Sequence, residues 1–456
     1  MELAGANIVV VGMARSGLAV VDFLVRKGAI VRATDEKPLE QIPDAAPALG
    51  RLRVPFLAQS AGALAGAELI VISPGVPHDL DLLEQARKRG AKVIGEVELA
   101  GWFLQGRTIG ITGSNGKTTT TALTGHLLRE GGVPAQVGGN IGNAVTSMIA
   151  TSRPGQWNVI ELSSFQLETI ERFRAHVGLA LNVTPDHLDR HGTFEVYAGA
   201  KARLFETQRP GDFAVLNADD ATCARFASHT PATPVWFSLT RPLGAGVWLD
   251  NGRLVFNGEP FLEANEIPLR GRHNVENVMA AAAAARLAGA NLGSIAAAIR
   301  TFPGVEHRLE FVRSLAGVDY YNDSKATNVD AALKAIDAFS GRLWIILGGK
   351  DKGSDYSPLA SPLASKASAA LLIGAAADKI AAHLGGSVRL IRCGTIDSAV
   401  ETAHREAIPG DTVLLAPACA SFDQFDDYEH RGRVFKQLVT QLIGPQPPRS
   451  GPNDRH

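Results

Sequence analysis

Cysteine is scarce in this chain: Cys223, Cys393 and Cys419 are the only three among 456 residues. An odd, widely spaced set does not make a disulfide framework and points to a reducing compartment, the cytoplasm. Net charge is nearly absent as well, at −1. No global field therefore recruits nucleic acid or an anionic membrane, and any anionic ligand needs a local site. Long apolar runs are missing too. The Ala-rich stretch from Met279 to Ala285 is far short of the roughly 20 residues that cross a bilayer. At the start, MELAGANIVVVG has no basic segment before its apolar run and Gly12 interrupts that run early, so no secretory leader is expected. Neither nucleic acid nor membrane is an expected partner, and a monomer is expected.

What is present is ordinary globular composition, 45% hydrophobic and 20% charged, in a chain too long for one core. Short apolar runs alternate with amphipathic stretches, the pattern of α/β domains with largely parallel sheets. Strands are expected at Asn7–Val11, Ile30–Thr34 and Leu69–Ser73, then at Thr108–Thr112, Val159–Leu162, Gly178–Val183 and Phe213–Leu216. A small β extension is expected within Val235–Pro268. A third group lies near Val318–Tyr321, Leu343–Leu347, Ala370–Ile373 and Thr412–Leu415. The expected boundaries divide the chain into 1–97, 98–303 and 304–444, with a disordered tail at 445–456.

The sharpest motif follows the strand at Thr108–Thr112. Gly113, Ser114, Asn115, Gly116, Lys117, Thr118 and Thr119 lead into a helix through Leu128. A strand, a glycine-rich turn and a helix start point backbone N–H groups and the positive helix end at one anion. Lys117 adds a point charge between phosphates, and a threonine hydroxyl such as Thr118 ligates magnesium. Ile111 stands where the general phosphate-loop pattern has its first glycine, so the loop is a shorter variant. Near the N-terminus, VVVGMARSG resembles a dinucleotide-binding turn, but Ala14 replaces the second glycine, which disfavours a nicotinamide enzyme.

Downstream of the phosphate loop come VIELSSFQLE (159–168), NVTPDHLDRHG (182–192) and YAGAKARLF (197–205). With them the chain resembles the Mur ligase family over nearly its whole length. The resemblance implies a three-domain α/β architecture: a Rossmann-like UDP-substrate domain, a central phosphate-loop ATPase domain and a Rossmann-like C-terminal domain that takes glutamate. It further implies ATP, two magnesium ions, Glu161 and His187 as metal ligands, and a carbamate on Lys201 as another. A carbamate would turn a cationic lysine into an anionic oxygen ligand, whereas the bare ammonium would repel a metal. By the same resemblance Asn277, Arg308 and Asp323 hold the nucleotide. By residue type alone, the neighbouring Asn274 reads as a helix cap.

The C-terminal motifs DSKATN (323–328), GGKDKGSDY (348–356) and PACASFDQF (417–425) resemble the branch that adds D-glutamate to UDP-N-acetylmuramoyl-L-alanine in cytoplasmic peptidoglycan precursor synthesis. They imply Thr327, Lys352, Ser421 and the backbone around Phe422 as the glutamate site. Arg15, Ser16, Lys37, Ser73 and Gly75 are implied around uracil and diphosphate, and Asn140, Ser163, Gln166 and Lys325 as further substrate contacts. Asp35-Glu36-Lys37 departs from the common Asp-Thr-Arg pattern, and an ionised Glu36 cannot donate to phosphate. Taken singly, Ser163, Asn140 and Ser421 also fit turns and caps, and a phenylalanine such as Phe422 is more often core. A folylpolyglutamate synthase shares the phosphate loop and glutamate addition, but lacks a UDP-site-like unit at the front.

Overall fold

The computed structural model describes residues 2–443, so the tail expected at 445–456 lies outside the described residues. Three sheets follow one another along the chain. The first comprises β1 (Asn7–Val11), β2 (Ile30–Asp35), β3 (Phe56–Ala58), β4 (Leu69–Ile72) and β5 (Lys92–Gly95) in the order β3-β2-β1-β4-β5, all parallel. β1 and β4 are continuous runs of Val, Ile and Leu because helices cover both faces of a parallel sheet, leaving no side for polar residues. Strand order reverses between β1 and β4, and the loops leaving their carboxyl ends border a crevice where α/β folds place ligands.

The second sheet is built from β6 (Arg107–Thr112), β7 (Ala135–Gly139), β8 (Trp157–Glu161), β9 (Val177–Ala180), β10 (Phe213–Asn217) and β11 (Thr233–Ser238), all parallel. β12 (Gly246–Asp250), β13 (Arg253–Phe256) and β14 (Glu259–Glu263) extend it as antiparallel hairpins, completing the order β14-β13-β12-β11-β10-β9-β6-β8-β7. The turns of these hairpins carry Asn251 and Asn257 in the left-handed region, each followed by a glycine, the usual chemistry of tight hairpins. β6 lies between β8 and β9, so the phosphate loop at its carboxyl end is flanked by the ends of both.

These two sheets belong to one compact unit, which contains the chain up to Ile267 together with Glu276–Phe302. The helix Glu96–Gly101 joins them through two buried carboxylates. Glu98 accepts the backbone N–H groups of Glu171, Arg172 and Phe173 at 2.8–3.0 Å and the Trp102 indole N–H at 2.8 Å. Glu96 accepts the Thr146 amide and hydroxyl, both at 2.6 Å. Burial raises the Glu96 pKa above the ordinary carboxylate value, against those hydrogen bonds.

The second compact unit comprises, among the described residues, Pro268–Val275 and Pro303 to Ile443. Its sheet holds β15 (Glu310–Leu315), β16 (Val318–Asn322), β17 (Leu343–Gly348), β18 (Ala367–Ile373), β19 (Leu390–Gly394) and β20 (Thr412–Leu415) in the order β15-β16-β20-β17-β18-β19. Only the β15–β16 edge is antiparallel. The loops after β16, β20 and β17, three adjacent strands, carry DSKATN, PACASF and GGKDKG on one edge of the sheet.

Candidate functional site

In the phosphate loop, Gly113 and Gly116 adopt φ values of +155° and +85°, and a Cβ on Gly116 would lie 2.2 Å from the Asn277 side-chain oxygen. Only glycine fits there. Asn277 packs under the loop and accepts from the Thr120 hydroxyl at 3.3 Å. The Ser114 amide donates to the Asn182 carbonyl at 2.8 Å, and the Ser114 hydroxyl bonds Thr184 O and Tyr197 Oη, each at 2.9 Å. Asn115 N donates to Asn182 Oδ1 at 2.8 Å. The helix Lys117–Glu130 starts at Lys117, whose ammonium donates to the Gly113 and Ser114 carbonyls, both at 2.8 Å. Thr118 and Thr119 are buried on its first turn.

Glu161 ends β8 beside this loop and is 1% exposed. Its Oε1 accepts from Asn140 Nδ2 at 2.9 Å, whereas buried Oε2 has no hydrogen-bond partner. An unmatched buried carboxylate oxygen is costly unless a cation meets it, so this residue fits a hard metal ion. Lys201, on the helix Phe194–Glu206, is 1% exposed. Its Nζ donates to the Gly113 carbonyl at 2.9 Å and lies 4.5 Å from the Tyr197 ring centre. Burial, followed by the charge of Lys117, holds the Lys201 pKa well below the ordinary lysine value. Its amine is thereby biased toward the neutral, nucleophilic form. His187 sits at φ +52° with a half-exposed ring, against Phe165 at 5.0 Å between centres. Among the described residues, no group of three or more His, Cys, Asp or Glu side chains gathers as a ready metal cluster.

A cavity of about 950 Å³ opens at the β1–β4 switch point and is lined by Arg15, Ser16, Lys37, Ser73, Gly75, Asn140 and Gln166. The Ser73 hydroxyl donates to the Gly12 carbonyl at 2.7 Å, and a Cβ on Gly17 would lie 1.8 Å from that carbonyl oxygen. Glycine at 17 is thus what lets the first turn close over the sheet. Asp35 accepts the Met13 and Lys37 amides at 2.6 and 3.0 Å. The acid that grips a ribose in dinucleotide folds is here committed to the loop itself. Glu36 is exposed at the cavity rim. Ser163 lies outside that lining: its hydroxyl caps the helix Ser164–Leu167 in a reciprocal box with Gln166. Sequence reasoning missed Tyr197, which holds both Ser114 and Lys201; its signal is the tyrosine four residues before that lysine.

In the second unit, Asp323 is buried and lies 3.5 Å from Arg308. Burial raises its pKa, while Arg308 opposes the rise. Lys325 Nζ stands 5.4 Å from the Tyr428 ring centre, and Thr327 N donates to Lys325 O at 2.8 Å. The loops are tied together by Ala418 N to Ala326 O at 2.9 Å and by the buried Arg431, which donates to Ser324, Cys419 and Ala420. Ser421 is buried, Lys352 is exposed, and the Phe422 side chain is 65% exposed. That exposure leaves the backbone as the part of Phe422 able to serve a ligand. Asn274 is buried and donates to the Arg270 carbonyl at 2.7 Å.

Residues 6–95 match the Mur ligase MurD-like N-terminal domain, 111–285 the Mur ligase middle domain and 307–419 the Mur ligase glutamate ligase domain. The chain is 62% identical over 442 residues to a UDP-N-acetylmuramoylalanine--D-glutamate ligase of Solibacter usitatus, covering 97% of this chain and 99% of that relative. It belongs to the Mur ligase family. A ligase of the same name from Acidobacterium capsulatum is 52% identical, with 96% and 97% covered. Solved structures share the Mur ligase fold. A UDP-N-acetylmuramate-alanine ligase from Thermotoga maritima gives a TM-score of 0.61 at 19% identity, covering 95% of this chain and 99% of that one. A pseudomurein peptide ligase type C from Methanothermus fervidus gives 0.61 at 19% identity, covering 96% and 100%. The expected α/β three-domain Mur ligase fold is therefore present.

Proposed function

We propose that this Mur ligase joins D-glutamate to UDP-N-acetylmuramoyl-L-alanine at the expense of ATP. The observation that carries the reading is near-full-length similarity to ligases of that name, on a chain whose phosphate loop, Glu161 and Lys201 sit together. The alanine carboxylate attacks the γ-phosphorus of ATP, forming an acyl phosphate and releasing ADP. The neutral amine of glutamate then adds to the acyl carbon. The tetrahedral intermediate collapses, inorganic phosphate leaves with the bonding electrons, and the amine gives up its proton as the amide forms.

Gly113–Thr119 cradle the ATP phosphates, and Lys117 balances charge on the transferring phosphoryl group. Magnesium, when bound, neutralises phosphate charge, and the residues fitted to hold it are Thr118, Glu161, His187 and a carbamylated Lys201. The support for the carbamate is the Lys201 amine itself. Burial biases it toward the neutral form, which adds to carbon dioxide and releases one proton. Arg15, Ser16, Lys37, Ser73, Gly75, Asn140 and Gln166 hold the sugar nucleotide, with the Ser163 cap fixing Gln166. Asn277, Arg308 and Asp323 bind ATP. Lys325, Thr327, Lys352, Ser421 and the backbone at Phe422 take the substrate carboxylates.

The reaction is assigned to the cytoplasm. Among the described residues no helix is long and apolar enough to cross a membrane, and all three cysteines are free thiols.

The test is phosphate release with ATP, magnesium and UDP-N-acetylmuramoyl-L-alanine, comparing D-glutamate, L-glutamate and no amino acid. Release that needs both the nucleotide substrate and D-glutamate, with a matching amide product, is expected. Absence of turnover in folded, carbon-dioxide-supplied protein would redirect the search to a folate substrate.

A further inference from the structure

One partly buried carboxylate outside the reacting groups, Glu168, gathers three cationic or imidazole side chains. Glu168 follows the short helix that presents Gln166. Its Oε2 accepts from Arg190 at 3.1 Å and from His78 Nδ1 at 3.2 Å. Its Oε1 lies 3.3 Å from Nδ1 of His191, a ring held at Nε2 by the Ser164 hydroxyl at 2.9 Å. Arg190 is the centre of the arrangement. Beyond Glu168, it donates to the carbonyls of Gly75 and Val76, both at 3.2 Å, and its guanidinium lies 4.7 Å from the Phe165 ring centre. The far side of His78 is tied down by Arg87, which donates to its carbonyl at 2.9 Å.

These contacts join three segments of the chain. The loop after β4 contributes Ser73 and Gly75 to the lining of the 950 Å³ cavity, and the short helix contributes Gln166. The third segment is the turn bearing His187, three residues before Arg190. Glu168 lies two residues from Gln166, and His78 three residues from Gly75. Arg190 spreads its donors over two nitrogens of a rigid planar fork, Nη1 to Gly75 and Nη2 to Val76 and Glu168, a span that the single nitrogen of an ammonium does not reproduce.

We propose that Arg190 and Glu168 are positioning residues for the sugar-nucleotide substrate, clasping the Ser73–His78 loop to the helix of Gln166 so that both contributions to the cavity lining are set before the ligand arrives. The proposal rests on the functional reading above. It predicts a selective effect: the clasp touches the walls of the nucleotide-sugar cavity, while the glutamate-site loops belong to a different sheet.

The experiment measures binding of UDP-N-acetylmuramoyl-L-alanine by calorimetry, without ATP or metal, alongside steady-state constants for all three substrates. For Arg190→Lys, the Kd for the sugar nucleotide is expected to rise about tenfold, with KM for ATP and for glutamate changed less than about twofold. His78→Ala, which removes one donor to Glu168, is expected to raise the same Kd by a smaller factor. Because both act through one carboxylate, the double variant should show less than the product of the two effects. An unchanged Kd in folded Arg190→Lys or His78→Ala protein would overturn the clasp. So would an equal loss for all three substrates, or fully multiplicative effects. Failure of the unaltered protein to bind this nucleotide would overturn the functional reading itself, and the clasp with it.

Discussion

Lys201 shows how position changes the chemistry of a common residue. A solvated lysine is a cation. Sealed against Tyr197 and bonded to the Gly113 carbonyl, this one sits where carrying charge is penalised by burial and by Lys117. Lys201→Ala should lower turnover at least about a hundredfold, the scale of losing charge stabilisation in a dry site. Acetate or another small carboxylate should restore part of it. Full activity without the additive, followed by phosphate release, would remove the carbamate from the mechanism. The sequence made Lys201 legible only through its motif, since an isolated lysine on a helix reads as a solvated charge. Ser163 shows the reverse: its spacing to Gln166 already satisfies a capping box, and the structure uses it for that cap.

At the scale of elements, the buried strands were legible because a parallel sheet covered on both faces favours unbroken apolar runs, as in Ile8–Val11 of β1, in β4 and in Leu343–Leu347 of β17. The strands the sequence did not reveal are of another kind. β3 is a three-residue edge with two exposed positions, and β7 reads AQVGG, whose glycines yield no periodic signal. Gly139 there is required for another reason, since a Cβ would lie 2.3 Å from the Glu161 carbonyl oxygen. The helix Glu96–Gly101 was equally obscure, because two buried glutamates contradict the usual pattern of a core helix. Glu98→Ala would strand four donors that now share one carboxylate. It should cost on the order of 3–5 kcal/mol, visible as a lower urea midpoint. A loss below about 1 kcal/mol would show that water replaces the carboxylate without penalty.

At the scale of the whole molecule, pH should act on the second unit through His273. Burial, with Arg308 and Lys334 nearby, lowers its pKa to about 4 from 6.5. The unfolded chain therefore takes up the proton first, and folding loses stability as pH falls from about 6.5 toward about 4. The full loss is about 3 kcal/mol, at 1.36 kcal/mol per unit. His273→Gln should flatten that part of the curve. Urea titrations of both proteins at pH 7 and pH 4.5 check it, and parallel pH dependences would discount the imidazole. Chain-long organisation into three successive sheets was readable from alternating apolar and amphipathic segments. The merger of the first two sheets into one compact unit was not, because it depends on contacts such as Glu98 with Glu171–Phe173, some 73 residues apart.

That pair of glutamates also bears on how such enzymes can be recombined. The seam between the first two sheets is an obvious place to cut when one nucleotide-sugar module is exchanged for another. Here the seam is a polar mortise: Glu96 and Glu98 enter from one side, and the amides of Thr146 and Glu171–Phe173 receive them from the other. A chimera cut near Gly95 would keep each sheet intact and still separate the two halves of that joint. Exchanges that carry residues 96–101 together with 144–173 from one parent should be the ones that fold.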